Sequence, residues 1–387
     1  MNQLIWRGPA LDPSGYGQAN RQYLRALDDL VIERGLGWVL RLRPKFFWHG
    51  YQGDIRPWWD LLKRMHDTPI DGDEPSVFIQ HITPEQLEVN HQARSHHINI
   101  TTFETDRMPK EWIMPMRAMD ELWTFSQWGK EVFASCGFKK NVNVIPHGVE
   151  TDLYQPGLDP IPEIRDALPE GSYVFGANFE WTERKNPGGL LRAYYRAFKK
   201  SDPVALVIKT FSRHKDFGKE IHNAIRRVQR EEGGVDTLPP ILVITDVIDH
   251  AEMPNFYASL DCYAHPSRGE GWGLPYTEAM ATELPTIAVN WSGHTEYMTP
   301  ENSYLVDDYK LVEVTTEQAG YQPQYVGHRW ADVDADVWAA QMRYVFEHQD
   351  EAKAKGQQAR QDMIAKWQWS HAAVKMVDRL TEVFEEI

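Results

Sequence analysis

Cysteine is scarce in this sequence of 387 residues, and long apolar runs are missing. The two cysteines, Cys136 and Cys262, supply neither a disulfide framework nor a metal-binding spacing, which favours a reducing compartment. No stretch approaches about 18 uninterrupted apolar residues, so we expect no membrane-spanning helix. The opening residues, MNQLIWRGPALD, have neither the basic nor the apolar region of a signal peptide. We therefore expect a cytoplasmic protein.

Positive charge is also scarce, and it is unevenly distributed. The chain has 41 Lys+Arg against 56 Asp+Glu, a net charge of −15, which argues against bulk electrostatic binding of nucleic acid. Residues 1–150 contain 17 basic and 19 acidic residues, a net of −2, so the remainder carries −13. The first part of the chain is therefore better suited to an anionic partner.

Short apolar runs alternate with amphipathic helical patterns along the chain. This alternation predicts right-handed βαβ units and parallel sheets, hence an α/β fold. The Pro- and Asp-rich segment 155–169 is interpreted as a linker between two domains. We predict an N-terminal domain at 1–155, joined by the last helix at 370–387, and a C-terminal domain at 170–369. The segments with the strand pattern are 2–6, 38–42, 76–81, 98–103, 121–126, 142–148, 172–178, 204–210, 240–246, 260–267 and 285–291.

Two loops that follow predicted strands have residues suited to an anion, and ligands of open α/β sheets bind beyond the carboxyl ends of the strands. Gly15 and Gly17 precede a helix, where glycine lets a phosphate approach backbone N–H groups. A tight turn would account for these glycines equally well. Arg184 and Lys185 also precede a helix, and paired cations there are unfavourable unless an anion binds. We favour an anion site at this second loop.

The segment RGEGWGLPYTEAM (268–280) places two carboxylates, Glu270 and Glu278, around a glycine-rich loop. Gly271 and Gly273 free the backbone, so that N–H groups at the start of the next helix can face an anion. Glu278 is expected in the first turn of that helix, where interaction with the helix dipole is a simple alternative role. An ordinary surface acid is the alternative for Glu270, but neither alternative accounts for the glycines.

This segment resembles the E-x7-E motif of retaining GT-B glycosyltransferases of family 4, with seven residues between the two glutamates. Three further segments resemble family segments in the same order: IPHGVETDLYQP (145–156), FEWTERKNPGGLLRAYYRAF (179–198) and PTIAVNWSGHTEYM (285–298). The resemblance covers most of the chain. It implies the GT-B fold, in which two Rossmann-like doubly wound domains face each other across a cleft.

The resemblance also implies a role for each matching position. Glu270 would contact donor-sugar hydroxyls near the reacting carbon, and Glu278 would accept hydrogen bonds from the ribose. The other implied donor-binding residues, for diphosphate or base, are Gly15, Gly17, Arg184, Lys185, Val247, Ile248, Gly271, Gly273 and Leu274. Because protein cations stabilise the leaving diphosphate, we expect no metal and no cofactor, and the nucleotide-sugar is a co-substrate.

One loop departs from the family pattern. Many members have an N-domain histidine that contacts the donor sugar, whereas the loop here reads ETDRMP (104–109). Glu104 could bind the sugar, act as base for the acceptor hydroxyl, or form a structural pair with Arg107. His81, at the end of a predicted strand, is another catalytic candidate on the acceptor side, although a histidine there is more often structural.

Two motifs that suggest metal binding are better understood without a metal. DVDAD (332–336) resembles the DxD motif of the other glycosyltransferase fold, but it precedes a helix expected from Val337 and fits N-capping. His96 and His97 have no ligand partner at metal spacing. Neither motif therefore changes the expectation that no metal is bound.

The stretch 34–66 is the candidate acceptor region, because the N-terminal domain binds the acceptor in the family. It contains seven Lys+Arg against two Asp, a net of +5, with interleaved aromatics. The pattern fits an anionic membrane surface with a lipid-linked acceptor, a polyanionic glycan, or DNA carrying a hydroxylated, flipped base. Alternatively, the aromatics are core and the charges are solvated. The candidate acceptor contacts are Arg41, Arg43, Lys45, Trp48 and Trp58.

We therefore predict a retaining hexosyltransferase that uses a nucleotide-diphospho-sugar, with a UDP-sugar favoured over a GDP-sugar. The expected acceptor is a hydroxyl of a glycan or lipid-linked glycan. A DNA glycosyltransferase acting on hydroxymethylated bases is the first alternative. Another GT-B enzyme, such as a nucleotide-sugar epimerase or a phosphorylase, and a catalytically inactive sugar-binding protein are the others. A phosphorylase would need a lysine for pyridoxal phosphate, and no such lysine is identified.

Overall fold

The computed structural model describes residues 2–12, 14–45, 55–89, 95–212 and 217–387. The chain divides into two compact units. Unit 1 comprises Met1–Phe103, Arg107–Gly148 and Lys366–Ile387. Unit 2 comprises Glu104–Asp106 and Val149–Ala365. The short segment Glu104–Asp106 thus belongs to unit 2, which the sequence pattern did not indicate.

Unit 1 contains a six-stranded parallel sheet with the strand order β2-β1-β3-β4-β5-β6. The strands are β1 (Gln3–Gly8), β2 (Val39–Pro44), β3 (Ser76–His81), β4 (Ser95–Ile100), β5 (Glu121–Thr124) and β6 (Val142–Val144). All residues of β1, β3 and β5 are buried, which is the pattern of a parallel sheet covered on both faces.

Helices flank this sheet, and the chain's last helix is one of them. The helices of unit 1 are α1 (Gly15–Glu33), α2 (Trp59–Asp67), α3 (Ile113–Arg117), α4 (Gln127–Ser135) and α13 (Trp369–Glu386). The Trp369 ring at the start of α13 packs edge-on against Tyr23 of α1, with the ring centroids 4.9 Å apart. The apolar faces of both helices are therefore buried within unit 1.

A buried carboxylate connects α13 to strand β5 of this sheet. Glu121 of β5 accepts hydrogen bonds from Arg379 of α13 at 2.9 Å and from Asn143 at 2.8 Å, and His96 lies 3.3 Å away. Burial would raise the pKa of Glu121, but hydrogen bonds from His96, Arg379 and Trp123 lower it to about 2. The ionised form of Glu121 thus stabilises the attachment of α13.

Unit 2 contains a second six-stranded parallel sheet, with the order β12-β11-β10-β7-β8-β9. Its strands are β7 (Tyr173–Glu180), β8 (Val204–Phe211), β9 (Ile241–Ile244), β10 (Cys262–Ala264), β11 (Thr286–Val289) and β12 (Tyr304–Val306). Its helices are α5 (Pro162–Asp166), α6 (Pro187–Ala197), α7 (Phe217–Glu231), α8 (Met253–Ala258), α9 (Leu274–Ala281), α10 (Thr316–Ala319), α11 (Ala335–Glu347) and α12 (Gln349–Lys366). The predicted α/β class with two parallel sheets is confirmed.

An antiparallel hairpin of unit 2, formed by β13 (Tyr309–Glu313) and β14 (Arg329–Val333), was not expected from the sequence. No residue of β13 is buried, so it lacks the apolar run by which strands β1 to β11 were identified. The two strands are also separated by α10 and further turns, rather than by a short hairpin loop. The local pattern therefore gave no hairpin signal.

Two local predictions change in the structure. The segment 155–169 is part of unit 2 rather than a linker: its Ile164 is 3% exposed, and the Ile161 N–H donates to Ser259 Oγ at 2.9 Å. Helix α11 begins at Ala335, two residues before the predicted start, and Asp334 is its N-cap. Within the described ranges, no helix is long and apolar enough to cross a bilayer.

Candidate functional site

The loop after β7 presents two cations at the centre of the unit 2 sheet. Residues Glu183–Lys185 form one 3₁₀ turn, and Asn186 follows with a left-handed φ of 55°. The Asn186 side chain caps α6 by accepting the Gly189 N–H at 3.1 Å. Asparagine tolerates this backbone conformation better than most residues. The sharp turn therefore sets Arg184 and Lys185 beyond the carboxyl end of β7.

Glu270 lies on the loop after β10, the strand next to β7. Its side chain is buried and accepts a hydrogen bond from Ser267 Oγ at 2.6 Å. Its backbone N–H donates to Ser292 Oγ at 2.9 Å. Because the carboxyl ends of neighbouring parallel strands meet at one edge, the Glu270 loop and the cation loop are brought together.

A compact charge cluster results from these two loops. Lys185 Nζ lies 2.5 Å from Glu270 Oε1, and an Arg184 guanidinium nitrogen lies 3.4 Å from Glu270 Oε2. Arg184 also donates to the Gly269 carbonyl at 2.5 Å. An unpaired charge in this buried position would destabilise the folded protein. Each of these ionised groups is therefore stabilised by its oppositely charged partners.

The electrostatics of the cluster favour ionised carboxylate and guanidinium groups. Burial would raise the pKa of Glu270, but Lys185 and Arg184 lower it well below its ordinary range. Burial lowers the pKa of Lys185, and the charge of Glu270 opposes that effect. For Arg184, burial is outweighed by Glu104 and other neighbours, which raise its pKa above the ordinary value. His265, buried next to Lys185, has a pKa lowered to about 3 and is neutral.

Glu104 is the second carboxylate of this cluster. One of its oxygens lies 3.6 Å from Arg184, and the other accepts a hydrogen bond from Tyr325 Oη at 2.8 Å. A structural pair with Arg107 was one expectation, but the charge partner of Glu104 in the structure is Arg184. Of the two candidates for the missing N-domain histidine, Glu104 is the one that lies in the charge cluster of unit 2.

His81, the other candidate, lies in the interior of unit 1. It is 0% exposed, and neither ring nitrogen has a hydrogen-bond partner among the described residues. Aromatic rings surround it, including Tyr16 at 5.2 Å and Tyr23 at 5.7 Å between centroids. Burial lowers its pKa to about 3, so the ring is neutral. Its burial among aromatic rings agrees with the structural role that a histidine at a strand end more often has, and a catalytic role of His81 stays a prediction.

Helix α9 follows the Glu270 loop and carries Glu278. Gly273 occupies the N-cap with φ 91°, a left-handed conformation that favours glycine, and α9 begins at Leu274. Pro275 has no N–H and the Tyr276 N–H donates to the Gly273 carbonyl at 3.0 Å, so an anion at this helix start would meet the backbone N–H groups of Gly273 and Leu274. Glu278 is the fifth residue of α9 and thus lies in its second turn, not the first as predicted. Its carboxylate is 6% exposed and accepts from Tyr257 Oη at 2.7 Å.

The predicted base-binding residues follow β9, the edge strand of the same sheet. Val247 is 59% exposed, which is unusual for an apolar side chain, and Ile248 is partly exposed. An exposed apolar side chain at a strand's carboxyl end is compatible with a planar ligand. The role of both residues in base binding stays a prediction.

Of the two glycines predicted to hold a phosphate from the N-terminal domain, Gly17 has a packing role in unit 1. Ser14 is the N-cap of α1, and its hydroxyl accepts the Gly17 N–H at 3.2 Å. A Cβ at Gly17 would lie 1.8 Å from the Asp12 carbonyl oxygen, so only glycine fits there. Gly17 is therefore needed for close packing, and its N–H is engaged by Ser14. Gly15 is exposed at the first position of the helix.

The three basic residues proposed as acceptor contacts lie on β2 or directly after it. Arg43 is exposed, and its guanidinium lies 5.5 Å from the centroid of the Phe78 ring. Arg41 is partly buried and donates to a backbone carbonyl, that of Thr68. Lys45 is partly exposed. Arg43 is thus the most accessible of these three cations.

The two tryptophans at the start of α2 differ in exposure, since Trp59 is 51% exposed and Trp58 is buried. Trp58 is 6% exposed, and the guanidinium of Arg25 lies 3.7 Å from its ring centroid. Because the indole is buried against α1 and this cation, the prediction that Trp58 stacks on an acceptor is not supported. Trp48 lies outside the described residues.

Several residues of the unit 2 site were not identified from the sequence. Ser267, Ser292 and Tyr325 hydrogen-bond directly to the backbone or side chains of Glu270 and Glu104. Ser267 follows β10 at its carboxyl end, a position that could have marked it. Ser292 and Tyr325 lie distant in sequence from the charged loops, and no local motif identifies them.

Residues 185–376 match the family described as "Family 4 Glycosyltransferase in conflict systems". The GDP-mannose-dependent alpha-(1-6)-phosphatidylinositol monomannoside mannosyltransferase of Mycobacterium tuberculosis is 26% identical over 265 residues. That alignment covers 66% of this chain and 60% of the relative. The chain therefore matches less than two thirds of this relative's length.

Solved structures resemble the whole chain. Sucrose-phosphate synthase of Thermosynechococcus elongatus gives a TM-score of 0.68 at 16% identity, with 100% of both chains covered. HepE of Anabaena, solved in complex with UDP-glucose, gives a TM-score of 0.64 at 16% identity and covers 98% of this chain and 99% of its own. At such low identity these likenesses show the fold, and the expected GT-B fold is confirmed.

Proposed function

The chain is a family 4 glycosyltransferase with the GT-B fold, and from this premise we propose that it transfers a hexose-type sugar from a nucleotide-diphospho-sugar with retention of anomeric configuration. The observation that carries the proposal is the buried cluster of Lys185, Arg184 and Glu270 at the carboxyl ends of β7 and β10. Such a cluster has both charges that the reaction needs, cations for a leaving diphosphate and a carboxylate for the sugar.

The transfer breaks the bond between the anomeric carbon and a phosphate oxygen, and the electron pair stays with the diphosphate. A bond then forms between that carbon and the acceptor oxygen, whose proton is released. Lys185 and Arg184 stabilise the negative charge that builds on the phosphate, together with N–H groups at the start of α9. Glu270 would accept hydrogen bonds from sugar hydroxyls as positive charge develops on the ring.

The remaining residues of unit 2 are proposed to hold the nucleoside. Glu278, already fixed by Tyr257, would accept hydrogen bonds from the ribose hydroxyls. Val247 and Ile248 would contact the base. We favour a UDP-sugar and keep a GDP-sugar as the alternative, because HepE was solved with UDP-glucose whereas the mycobacterial relative is GDP-mannose-dependent.

The proposed acceptor is a hydroxyl of a glycan or lipid-linked glycan. The name of the mycobacterial relative, a phosphatidylinositol monomannoside mannosyltransferase, supports a glycolipid. Exposed Arg43 on β2 could contact an anionic part of such an acceptor. Because two protein cations stabilise the leaving group, we propose that neither a metal nor a cofactor is required.

A two-stage experiment tests this proposal. Thermal unfolding is first followed with UDP, GDP and ADP, and then with UDP-glucose and GDP-mannose, in the presence of excess EDTA. The best donor is then offered glycolipid, soluble oligosaccharide or hydroxymethylated DNA while nucleoside diphosphate release is measured. We expect stabilisation by one nucleotide and turnover stimulated by the glycan or glycolipid. Stimulation by hydroxymethylated DNA alone would contradict the acceptor, and a lack of any nucleotide binding would contradict the proposed function.

A further inference from the structure

The segment Glu104–Asp106 is held in unit 2 by residues at the start of β14. Thr105 Oγ1 lies 2.8 Å from His328 Nδ1, and the Asp106 N–H donates to the Arg329 carbonyl at 2.9 Å. The Asp106 carboxylate in turn accepts from the Arg329 backbone N–H and side chain, at 2.8 and 2.9 Å. Two consecutive residues are thus fixed to the start of β14, so the position of Glu104 is fixed as well.

The loop that carries Glu270 is in backbone contact with Glu104. A Cβ added to Gly269 would lie 2.1 Å from the Glu104 carbonyl oxygen, so no larger residue fits at this approach. The same Gly269 carbonyl accepts a hydrogen bond from Arg184. Glu104, Arg184 and the Glu270 loop therefore form one tightly packed arrangement.

The two carboxylate oxygens of Glu104 have different partners. Tyr325 is 2% exposed, and its hydroxyl donates to Oε2 at 2.8 Å. Oε1 lies 3.6 Å from the Arg184 guanidinium. The buried tyrosine therefore orients the carboxylate so that its second oxygen faces Arg184.

Arg184 is thereby shared between two carboxylates, Glu104 and Glu270. A nucleoside diphosphate has to compete with Glu104 for this cation, since like charges near one another in a partly dry site repel. We propose that Glu104 is a counter-ion of Arg184 that weakens the binding of the nucleoside diphosphate, and that Tyr325 is the residue that positions it. This role rests on the proposed function. By weakening the binding of the diphosphate, Glu104 would promote release of this product.

The test is the affinity of UDP and GDP for Glu104→Gln, measured by calorimetry. Glutamine keeps an acceptor for Tyr325 but removes the charge, so we expect about tenfold tighter binding of the nucleotide that the wild-type protein prefers. Glu347→Gln is the matched control, because it makes the same change in charge at a 51% exposed side chain that pairs with Arg343. Its affinity should equal that of the wild-type protein.

Tyr325 is tested through Glu104 by a double-mutant cycle. Tyr325→Phe should tighten nucleotide binding less than Glu104→Gln does, and its effect should vanish in the Glu104→Gln background. An effect that persists there would show that Tyr325 does not act through Glu104, and would overturn its positioning role.

The outcomes for the counter-ion role and for the proposed function are distinct. If neither nucleotide binds the wild-type protein, both fail. If a nucleotide binds but Glu104→Gln leaves its affinity unchanged or weakens it, only the counter-ion role fails. Weaker binding of the sugar nucleotide with unchanged binding of the free nucleotide would instead make Glu104 a sugar contact and overturn the counter-ion role.

Discussion

Replacing Lys185 by methionine removes one cation from the proposed donor site and keeps most of the side-chain length. In the wild-type protein the ammonium lies 2.5 Å from Glu270 Oε1, and both side chains are largely buried. The substitution deletes a contact that the proposal assigns to the diphosphate. It also leaves Glu270 less neutralised, so that its charge repels the same ligand.

The expected loss of nucleotide affinity follows from these two effects. A hydrogen bond to a charged group contributes about 1.5–3 kcal/mol to the free energy of binding. Its loss corresponds to a decrease in affinity of roughly 10- to 150-fold. Repulsion by Glu270 acts in the same direction, so we expect the upper part of this range. Removing one member of a buried ion pair costs about 3–5 kcal/mol. Because Arg184 and Ser267 still contact Glu270, we expect about 2–3 kcal/mol of lost stability.

Calorimetric titration with UDP and GDP measures the binding effect, and thermal unfolding measures the loss of stability. The control is Lys200→Met, which makes the same change in charge at an exposed lysine of unit 2 whose ammonium donates to the Asp236 carbonyl at 3.0 Å. The control should bind nucleotide as the wild-type protein does. Equal nucleotide affinity for Lys185→Met and Lys200→Met would refute the assignment of Lys185 to the diphosphate.

Three further predictions concern other parts of the chain. In calorimetry, Glu278→Gln should weaken UDP binding about tenfold and leave the binding of inorganic diphosphate unchanged. An equal effect on both ligands would argue against a ribose contact. Gly17→Ala should lower the melting temperature markedly, because its Cβ would meet a carbonyl oxygen at 1.8 Å, whereas Gly218→Ala, with no atom within 4 Å, should not. The pKa of Glu121 falls from 4.5 to about 2 on folding despite its burial. Its ionised form should therefore contribute about 3 kcal/mol to the free energy of unfolding above pH 4.5. The folded protein is stabilised only by the ionised form of Glu121, and this form is lost as the pH falls. The difference in unfolding free energy between the wild-type protein and Glu121→Gln should therefore narrow from pH 4.5 towards pH 2. A difference that stays constant over this range would contradict the prediction.

The sequence pattern was sufficient for strands β1 to β11, but not for the short edge strand β12, and it was sufficient for the charged loops of unit 2. Parallel strands buried on both faces leave continuous apolar runs, and strand β3 was predicted with its observed bounds, Ser76–His81. Arg184, Lys185 and Glu270 were found because charge and glycine at the carboxyl ends of parallel strands are typical of ligand-binding loops.

The remaining features depend on contacts between distant residues, which a local pattern does not contain. His81 ends β3 like a site residue, yet rings from α1, from β1 and from the residue after β5 enclose it. Tyr325 reaches Glu104 across 221 positions of the chain. The glycine at position 17 resembles a phosphate-loop glycine, but its environment is set by the packing of Asp12.

The central claim is that Glu270 and its two cations form the donor site of a retaining transferase. The measurement that tests it most directly is proton NMR of the sugar product formed from the best donor, with wild-type protein and with Glu270→Gln. We predict that the first-formed wild-type product keeps the anomeric configuration of the donor, and that Glu270→Gln remains folded but produces at most a trace of it. An inverted product, or undiminished turnover by Glu270→Gln, would contradict this claim.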